Sequence, residues 1–142
     1  MRLLLSFRCL RELTRRKNIL MIVDEVQTGL GATGKLWAHE HWDLPSPPDM
    51  VTFSKKAQAA GFYYKDKSLR PDRPYRQFKT WMGDPARALL FKAILGEIQQ
   101  HELVDNAGKV GEYLNFGLEK LAQRYPNEIK NRRVKDRGTF IA

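Results

Sequence analysis

The fold of this chain is decided by the stretch ILMIVDE at residues 19–25. Its five consecutive apolar residues stop abruptly at the acidic pair Asp24 and Glu25. A continuous apolar run of this length is typical of a strand that is covered on both faces, as in a parallel sheet. We therefore predict a buried parallel strand that carries two carboxylates at its carboxyl end.

A second strand is predicted at residues 50–53, MVTF, and the lysine pair Lys55 and Lys56 follows its carboxyl end. Three prolines within residues 45–48 enforce an extended connector before this strand. A helical pattern at residues 1–17 precedes the first strand. Helices that alternate with buried strands indicate an α/β fold with a mainly parallel sheet.

The other segments of the chain predict a loop, a further strand and two more helices. Residues 28–34 hold three glycines, which predict a loop with unusual backbone angles or a close approach to a neighbour. An aromatic run at residues 62–64 suits another strand. Asp84 and Pro85 predict a helix start, as N-cap and first helical residue, and Asp105 is predicted to cap the next helix.

The chain is basic, with 25 Lys and Arg against 16 Asp and Glu and a formal net charge of +9. Such an excess raises the question of an anionic partner such as nucleic acid. The positive residues are spread over residues 2–17, 65–76 and 130–137, whereas a groove-binding protein more often gathers them on one element. We favour a solvated basic surface and expect no nucleic-acid partner, and we keep a basic nucleic-acid-binding module as an alternative.

Composition also bears on other kinds of site. The single cysteine excludes a disulfide framework and a cysteine-based zinc site. His39 and His41 would not share a helical face, and no HExxH spacing exists, so we expect no metal. No apolar run approaches the length of a membrane span, so we expect no membrane partner.

Residues 1–17 combine six basic residues with one acid, and their leucines recur at helical spacing. This pattern suits a mitochondrial presequence. It suits an amphipathic surface helix equally well. Because the segment runs straight into the predicted first strand, we favour a structural helix.

Asp24 and Lys55 are the residues that point to chemistry. In open parallel sheets, ligands bind beyond the carboxyl ends of the strands, and both residues follow such an end. A lysine in a cleft can form a Schiff base, and a carboxylate close by can keep a heterocyclic nitrogen protonated. Pyridoxal 5'-phosphate (PLP) requires both groups. Many α/β proteins carry a carboxylate and a lysine at strand ends, so these two residues alone leave other functions open.

The chain carries three motifs in order: DEVQTG at residues 24–29, GATG at residues 31–34 and PDMVTFSK at residues 48–55. Together they resemble the class III aminotransferases, a family of PLP-dependent enzymes. Two further motifs, WAHEHW at residues 37–42 and FKTWMGDP at residues 78–85, look like the members of this family that act on 4-aminobutyrate. The resemblance extends from about residue 7 over nearly the whole chain.

The resemblance implies a fold-type I PLP-dependent transferase and a role for five residues. Asp24 would pair with the pyridine nitrogen of the cofactor, and Val26 would pack on one face of its ring. Gln27 would lie near the ring hydroxyl. Lys55 would form the Schiff base and act as the catalytic base. Thr80 would bind the cofactor phosphate across a dimer interface.

Lys56 competes with Lys55 for the anchoring role. The family pattern places the anchor first in the pair, directly after a small residue, which is Ser54 here. We therefore predict Lys55 as the Schiff-base lysine and interpret Lys56 as a solvated charge.

The resemblance also implies what surrounds the chain. Members of this family are far longer, so we expect a fragment: residues 1–104 as part of the PLP-binding large domain, and residues 105–142 as a helix and the start of the C-terminal small domain. The implied reaction transfers the amino group of an ω-amino acid such as 4-aminobutyrate to 2-oxoglutarate, in a homodimer in the mitochondrial matrix, with the cytoplasm as the alternative. Half a cleft does not orient a substrate, so we expect the fragment alone to be inactive. A non-catalytic remnant that pairs with a full-length homologous subunit is the alternative function.

Overall fold

A computed structural model of the chain describes residues 2–77, 83–129 and 138–139, with side chains from Ser6 onward. These residues form three α-helices and three strands, joined by loops and short 3-10 turns. The helices and strands are α1 (Arg2–Arg16), β1 (Ile22–Asp24), β2 (Met50–Phe53), β3 (Gly61–Tyr64), α2 (Pro85–Gln100) and α3 (Leu103–Arg124). The 3-10 turns are Ala38–Trp42, Lys55–Ala57 and Lys67–Leu69. The predicted α/β class is confirmed.

The chain divides into two compact units. The first unit comprises Met1–Gln27 and Trp42–Leu95 and contains the whole described sheet. The second unit comprises Thr28–His41 and Gly96–Ala142 and contains α3. The domain boundary at residues 104 and 105 remains a prediction.

The sheet has the strand order β1-β2-β3. β1 and β2 are parallel, in a register that pairs Asp24 with Thr52. β2 and β3 are antiparallel, with Phe53 opposite Gly61. The parallel pair agrees with the sequence prediction, and β3 makes the sheet mixed. Only seven residues, 54–60, join β2 to β3, whereas a crossover to a parallel neighbour needs a dozen or more.

The burial of β1 differs from the prediction. Met21 and Val23 are buried, but Ile19, Leu20 and Ile22 are more than half exposed. The side chains therefore alternate between a buried and an exposed face, as in any strand with one covered face. The prediction that both faces are covered is wrong for this structure, because an apolar run does not specify which elements lie above and below it.

α1 is tied to the sheet by a buried ion pair, and the predicted structural helix is present. The side chain of Arg11, only 1% exposed, donates to Asp49 Oδ2 at 2.6 Å and to Asp49 Oδ1 at 3.1 Å. It also donates to Ser46 Oγ at 3.0 Å and to a backbone carbonyl beside it. Asp49 Oδ2 accepts from the backbone N–H of Met21 as well, at 2.9 Å. One carboxylate thus joins α1, the start of β1 and the start of β2.

The two predicted helix starts had different outcomes. α2 begins at Pro85, and Asp84 Oδ1 accepts from the backbone N–H of Ala86 at 2.9 Å, as predicted. α3 begins earlier than predicted, at Leu103, so Asp105 lies in the first turn of the helix instead of at its N-cap. Among the helices in the described ranges, none combines the length and apolar character needed to cross a membrane.

The glycine loop of the second unit behaves as predicted. Gly31 and Gly34 have positive φ angles of 95° and 79°. A Cβ atom at Gly34 would lie 3.0 Å from the Cα atom of Gly108 in α3. Both unusual backbone angles and close approach to a neighbour therefore favour glycine in this loop.

Candidate active site

The candidate site lies where β1 and β2 end side by side. The backbone segments that follow the two strands stay hydrogen-bonded to each other. Glu25 N donates to Thr52 O at 3.0 Å, and Lys55 N donates to Val26 O at 3.1 Å. The parallel pairing therefore continues past the carboxyl ends of both strands. It brings the segment after β1 alongside the segment after β2, as the sequence prediction required.

Asp24 is held in a fixed orientation at this edge. Its Oδ1 atom accepts from Thr52 Oγ1 at 3.0 Å and from the backbone N–H of Val26 at 2.9 Å. The side chain is exposed, and Oδ2 has no donor among the residues that the structure describes. One carboxylate oxygen is thus used for positioning, and the other faces no described protein donor.

Lys55 begins the 3-10 turn that follows β2. Its Nζ atom donates to Gln27 Oε1 at 3.0 Å, and its side chain is exposed. Gln58 closes the turn through two hydrogen bonds to the carbonyl of Lys55, from its backbone N–H at 3.2 Å and from Nε2 at 3.0 Å. Ala57 is fully buried in the same turn. The backbone that carries Lys55 is therefore anchored at both ends.

Lys56 is exposed, as the predicted solvated charge would be, but its ammonium group also makes a specific contact. Its Nζ atom donates to the backbone carbonyl of Gln27 at 2.8 Å. Partial burial lowers the pKa of Lys56, and the positive charge of Lys55 lowers it further. The carboxylate of Glu25, which is only 1% exposed, raises the pKa of Lys56.

The structure brings together four of the five predicted site residues: Asp24, Val26, Gln27 and Lys55. Thr80 lies outside the described residues. Sequence reasoning missed Thr52, because its place beside Asp24 depends on the register of the parallel pair. It also missed the contact of Lys56, which depends on the shape of the 3-10 turn and has no sequence signal that we recognise.

The site lies beside an open groove. The groove has a volume of about 900 Å³, and its lining includes Thr52, Phe53, Arg87 and Phe91. Asp24, Gln27 and Lys55 do not line it. In the part of the chain that the structure describes, no group of three or more His, Cys, Asp or Glu side chains is arranged to hold a metal ion.

The donor set suits a PLP ring. A protonated ring nitrogen needs a carboxylate oxygen, and Oδ2 of Asp24 is not used by a described donor. An aldehyde needs a primary amine, which Lys55 presents on the exposed side of the turn. A ring hydroxyl needs a polar neighbour, and the amide of Gln27 lies within hydrogen-bond distance of that amine. The observed contacts are therefore compatible with this cofactor.

Comparison with known families agrees with this geometry. The profile of the family described as "Aminotransferase class-III" matches residues 6–142. The chain belongs to the class III aminotransferases, and the predicted family and fold type are confirmed.

Two relatives and one solved structure show how far the similarity extends. The chain is 62% identical over 136 residues to the 4-aminobutyrate aminotransferase of Emericella nidulans and 48% identical to the mitochondrial 4-aminobutyrate aminotransferase of Sus scrofa. Each alignment covers 96% of this chain and 27% of the relative, so the chain spans about a quarter of their length. It also superimposes on a lysine aminotransferase from M. tuberculosis, solved in its internal aldimine form, with a TM-score of 0.81 and 32% identity, over 95% of this chain and 31% of that one.

Proposed function

We propose that a protein containing this chain is a PLP-dependent aminotransferase that transfers the amino group of 4-aminobutyrate to a 2-oxo acid such as 2-oxoglutarate. The observation that carries this proposal is the placement of Asp24 and Lys55 at the carboxyl ends of two adjacent parallel strands. The names of the similar proteins from E. nidulans and S. scrofa support the choice of 4-aminobutyrate.

Asp24 holds the cofactor ring in this proposal. PLP supplies an electron sink for the bond next to the substrate nitrogen while its pyridine nitrogen stays protonated. The hydroxyl of Thr52 and the N–H of Val26 orient the carboxylate through Oδ1. Oδ2 would then be available to accept a hydrogen bond from the protonated ring nitrogen. The carboxylate of Asp24 would thereby keep the proton on the pyridine nitrogen.

Lys55 carries the covalent attachment and the proton transfer. With PLP bound, its Nζ atom would hold the cofactor aldehyde until the substrate amine replaced it. The free amine of Lys55 would then be placed to take a proton from the substrate carbon and return one, as a general base and acid. Gln27 Oε1 lies 3.0 Å from Nζ and keeps the amine at the edge of the sheet between these steps.

Val26 and Thr80 complete the proposed cofactor site. The backbone N–H and carbonyl of Val26 bond to Asp24 and Lys55 respectively. Its backbone is therefore tied to both residues, and its half-buried side chain would pack on one face of the ring. By family resemblance, Thr80 binds the phosphate from the other subunit of a homodimer. The mitochondrial matrix is the proposed location, supported by the name of the S. scrofa relative, and the cytoplasm is the alternative.

A chimeric enzyme tests this function in a complete site. Residues 6–142 replace the matching segment of the E. nidulans relative, and transamination of 4-aminobutyrate is measured with 2-oxoglutarate. We expect the chimera to be active and Lys55→Ala to lower kcat by about 10³-fold or more, since both the attachment and the base are lost. Lys92→Ala, which removes an exposed lysine of α2, is the matched control and retains the activity. A folded chimera that binds PLP but leaves 4-aminobutyrate unchanged contradicts the proposal.

A further inference from the structure

Gln27 is contacted by both members of the lysine pair. Lys55 Nζ donates to its side-chain oxygen at 3.0 Å, and Lys56 Nζ donates to its backbone carbonyl at 2.8 Å. Two consecutive lysines thus hold the side chain and the main chain of one residue. The segment after β1 is thereby attached to the turn after β2 at two points beyond the strand pairing.

The 3-10 turn explains how adjacent lysines reach the same glutamine. With three residues per turn, successive side chains point in directions about 120° apart. Ala57 takes the inward direction and is fully buried. Lys55 and Lys56 then take the two outward directions, on either side of Gln27. The turn itself is fixed, because Lys55 N bonds to Val26 O and Gln58 closes it.

Lys56 is an exposed lysine whose ammonium group nevertheless has a defined hydrogen-bond partner and a nearby carboxylate. Its ammonium group is partly desolvated, and the carboxylate of Glu25 is close enough to stabilise its charge. Glu25 is only 1% exposed and follows Asp24 directly. Lys56 therefore bonds to a carbonyl of the segment that also carries Asp24 and the buried carboxylate of Glu25.

We propose that Lys56 is a positioning residue: by bonding to the carbonyl of Gln27 it fixes the amide of Gln27 against the amine of Lys55. This inference rests on the proposed function of Lys55. Lys56 itself touches neither the cofactor nor the substrate in this account. Its effect reaches Lys55 only through Gln27.

The test measures how fast PLP and borohydride label Lys55 in the full chain, by quantitative peptide mass spectrometry. We expect Lys56→Met to lower the labelling rate by about threefold to tenfold, the effect of losing one charged hydrogen bond at a partly exposed site. Lys56→Arg, which can still donate to the carbonyl, restores the rate to within about twofold. Lys92→Met is the control for losing a lysine. A melting temperature equal to that of the wild type separates positioning from unfolding.

A double-mutant cycle tests the route through Gln27. If Lys56 acts through the amide of Gln27, Lys56→Met has no further effect on the labelling rate in a Gln27→Ala background. Wild-type labelling in Lys56→Met, or an undiminished effect of Lys56→Met in the Gln27→Ala background, overturns the inference.

A measurement without cofactor separates this inference from the proposed function. In an ¹⁵N–¹H spectrum of the free chain, Lys56→Met shifts the side-chain amide signals of Gln27, and Lys92→Met does not. If wild-type Lys55 takes no label, the proposed role of Lys55 fails in the isolated chain, and the Gln27 signals then decide whether Lys56 positions this residue. Unshifted Gln27 signals in Lys56→Met overturn the inference whatever the labelling shows.

Discussion

The contact between Asp24 and Thr52 is the one on which the orientation of the candidate site depends most. Thr52 Oγ1 lies 3.0 Å from Asp24 Oδ1, and the two residues are register partners in the parallel pair. Without this hydroxyl, Oδ1 keeps only the backbone N–H of Val26 as a described donor. The carboxylate would then be free to rotate away from the ring nitrogen of a bound cofactor.

Thr52→Val therefore weakens PLP binding. We expect the dissociation constant to rise by about threefold to tenfold, as for the loss of one ordinary hydrogen bond at an exposed site. An absorbance titration with PLP measures it. Thr52→Ser retains the hydroxyl and is the control. Equal affinity of the valine and serine variants would show that Thr52 does not orient Asp24.

The sequence was sufficient to place Asp24 and Lys55 at the same edge of the sheet and insufficient for the contacts that support them. Their positions could be predicted because each lies at the carboxyl end of an apolar run, where ligand sites gather. Lys56 could not be assigned, because its contact depends on the direction of each side chain around a 3-10 turn. The contact of Thr52 with Asp24 could not be predicted, because it depends on the register of β1 and β2. Strand boundaries predicted from sequence are uncertain by a few residues, so they do not fix that register.

At the element scale, the attachment of α1 to the sheet depends on Arg11 and Asp49. The side chain of Arg11 is 1% exposed and that of Asp49 is 16% exposed. The hydrogen bond from Arg11 lowers the pKa of Asp49 below its ordinary value of 3.8, and the N–H of Met21 acts in the same direction. Desolvation raises the pKa of Asp49, but its effect is smaller than that of the hydrogen bond from Arg11.

This pair makes stability depend on pH in a defined direction. Because the folded-state pKa of Asp49 is lowered, its contribution is complete above the unfolded value near 3.8 and is lost as pH falls through the lower folded value. We expect Asp49→Asn to lower the free energy of unfolding by about 1–3 kcal/mol at pH 7.

Urea unfolding between pH 7 and pH 2 tests this prediction. The difference between wild type and Asp49→Asn should stay constant down to about pH 5 and shrink below about pH 4. Asp43→Asn, at an exposed partner of Arg8, controls for the loss of any surface carboxylate. A difference that grows as the pH falls would contradict the assignment.

The elements themselves were predictable where local chemistry decides them. The sequence MVTF became β2 and the Asp84-Pro85 pair started α2, since apolar runs and caps act over a few residues. The antiparallel direction of β3 was not predicted. It follows from the short connection of residues 54–60, which is too short for a crossover to a parallel neighbour. The start of α3 was placed late because Glu102, at the N-cap, has a left-handed backbone that no sequence rule for caps suggests.

At the scale of the whole molecule, the sheet has an exposed apolar edge. β1 is the first strand in the order of the described sheet, and Ile22 on it is 59% exposed. Ile19 and Leu20, just before it, are 57% and 54% exposed. An apolar strand at a sheet edge is a template for pairing with another chain.

The isolated chain is therefore expected to self-associate through β1. Ile22→Lys should weaken self-association by about tenfold or more, because a charge at an edge strand opposes pairing. Light scattering across a concentration series measures this. Leu89→Lys, at a position of α2 that is 69% exposed, is the matched control. If the two variants reduce self-association equally, the strand edge is not the responsible surface.

We propose that Lys55, and not its neighbour Lys56, is the lysine that binds PLP at the edge of the sheet. The most direct measurement incubates the purified chain with PLP, reduces it with borohydride and maps the modified lysines by mass spectrometry. We expect label on Lys55 alone, lost in Lys55→Ala. Label on Lys56, label scattered over the surface lysines, or no label would contradict it.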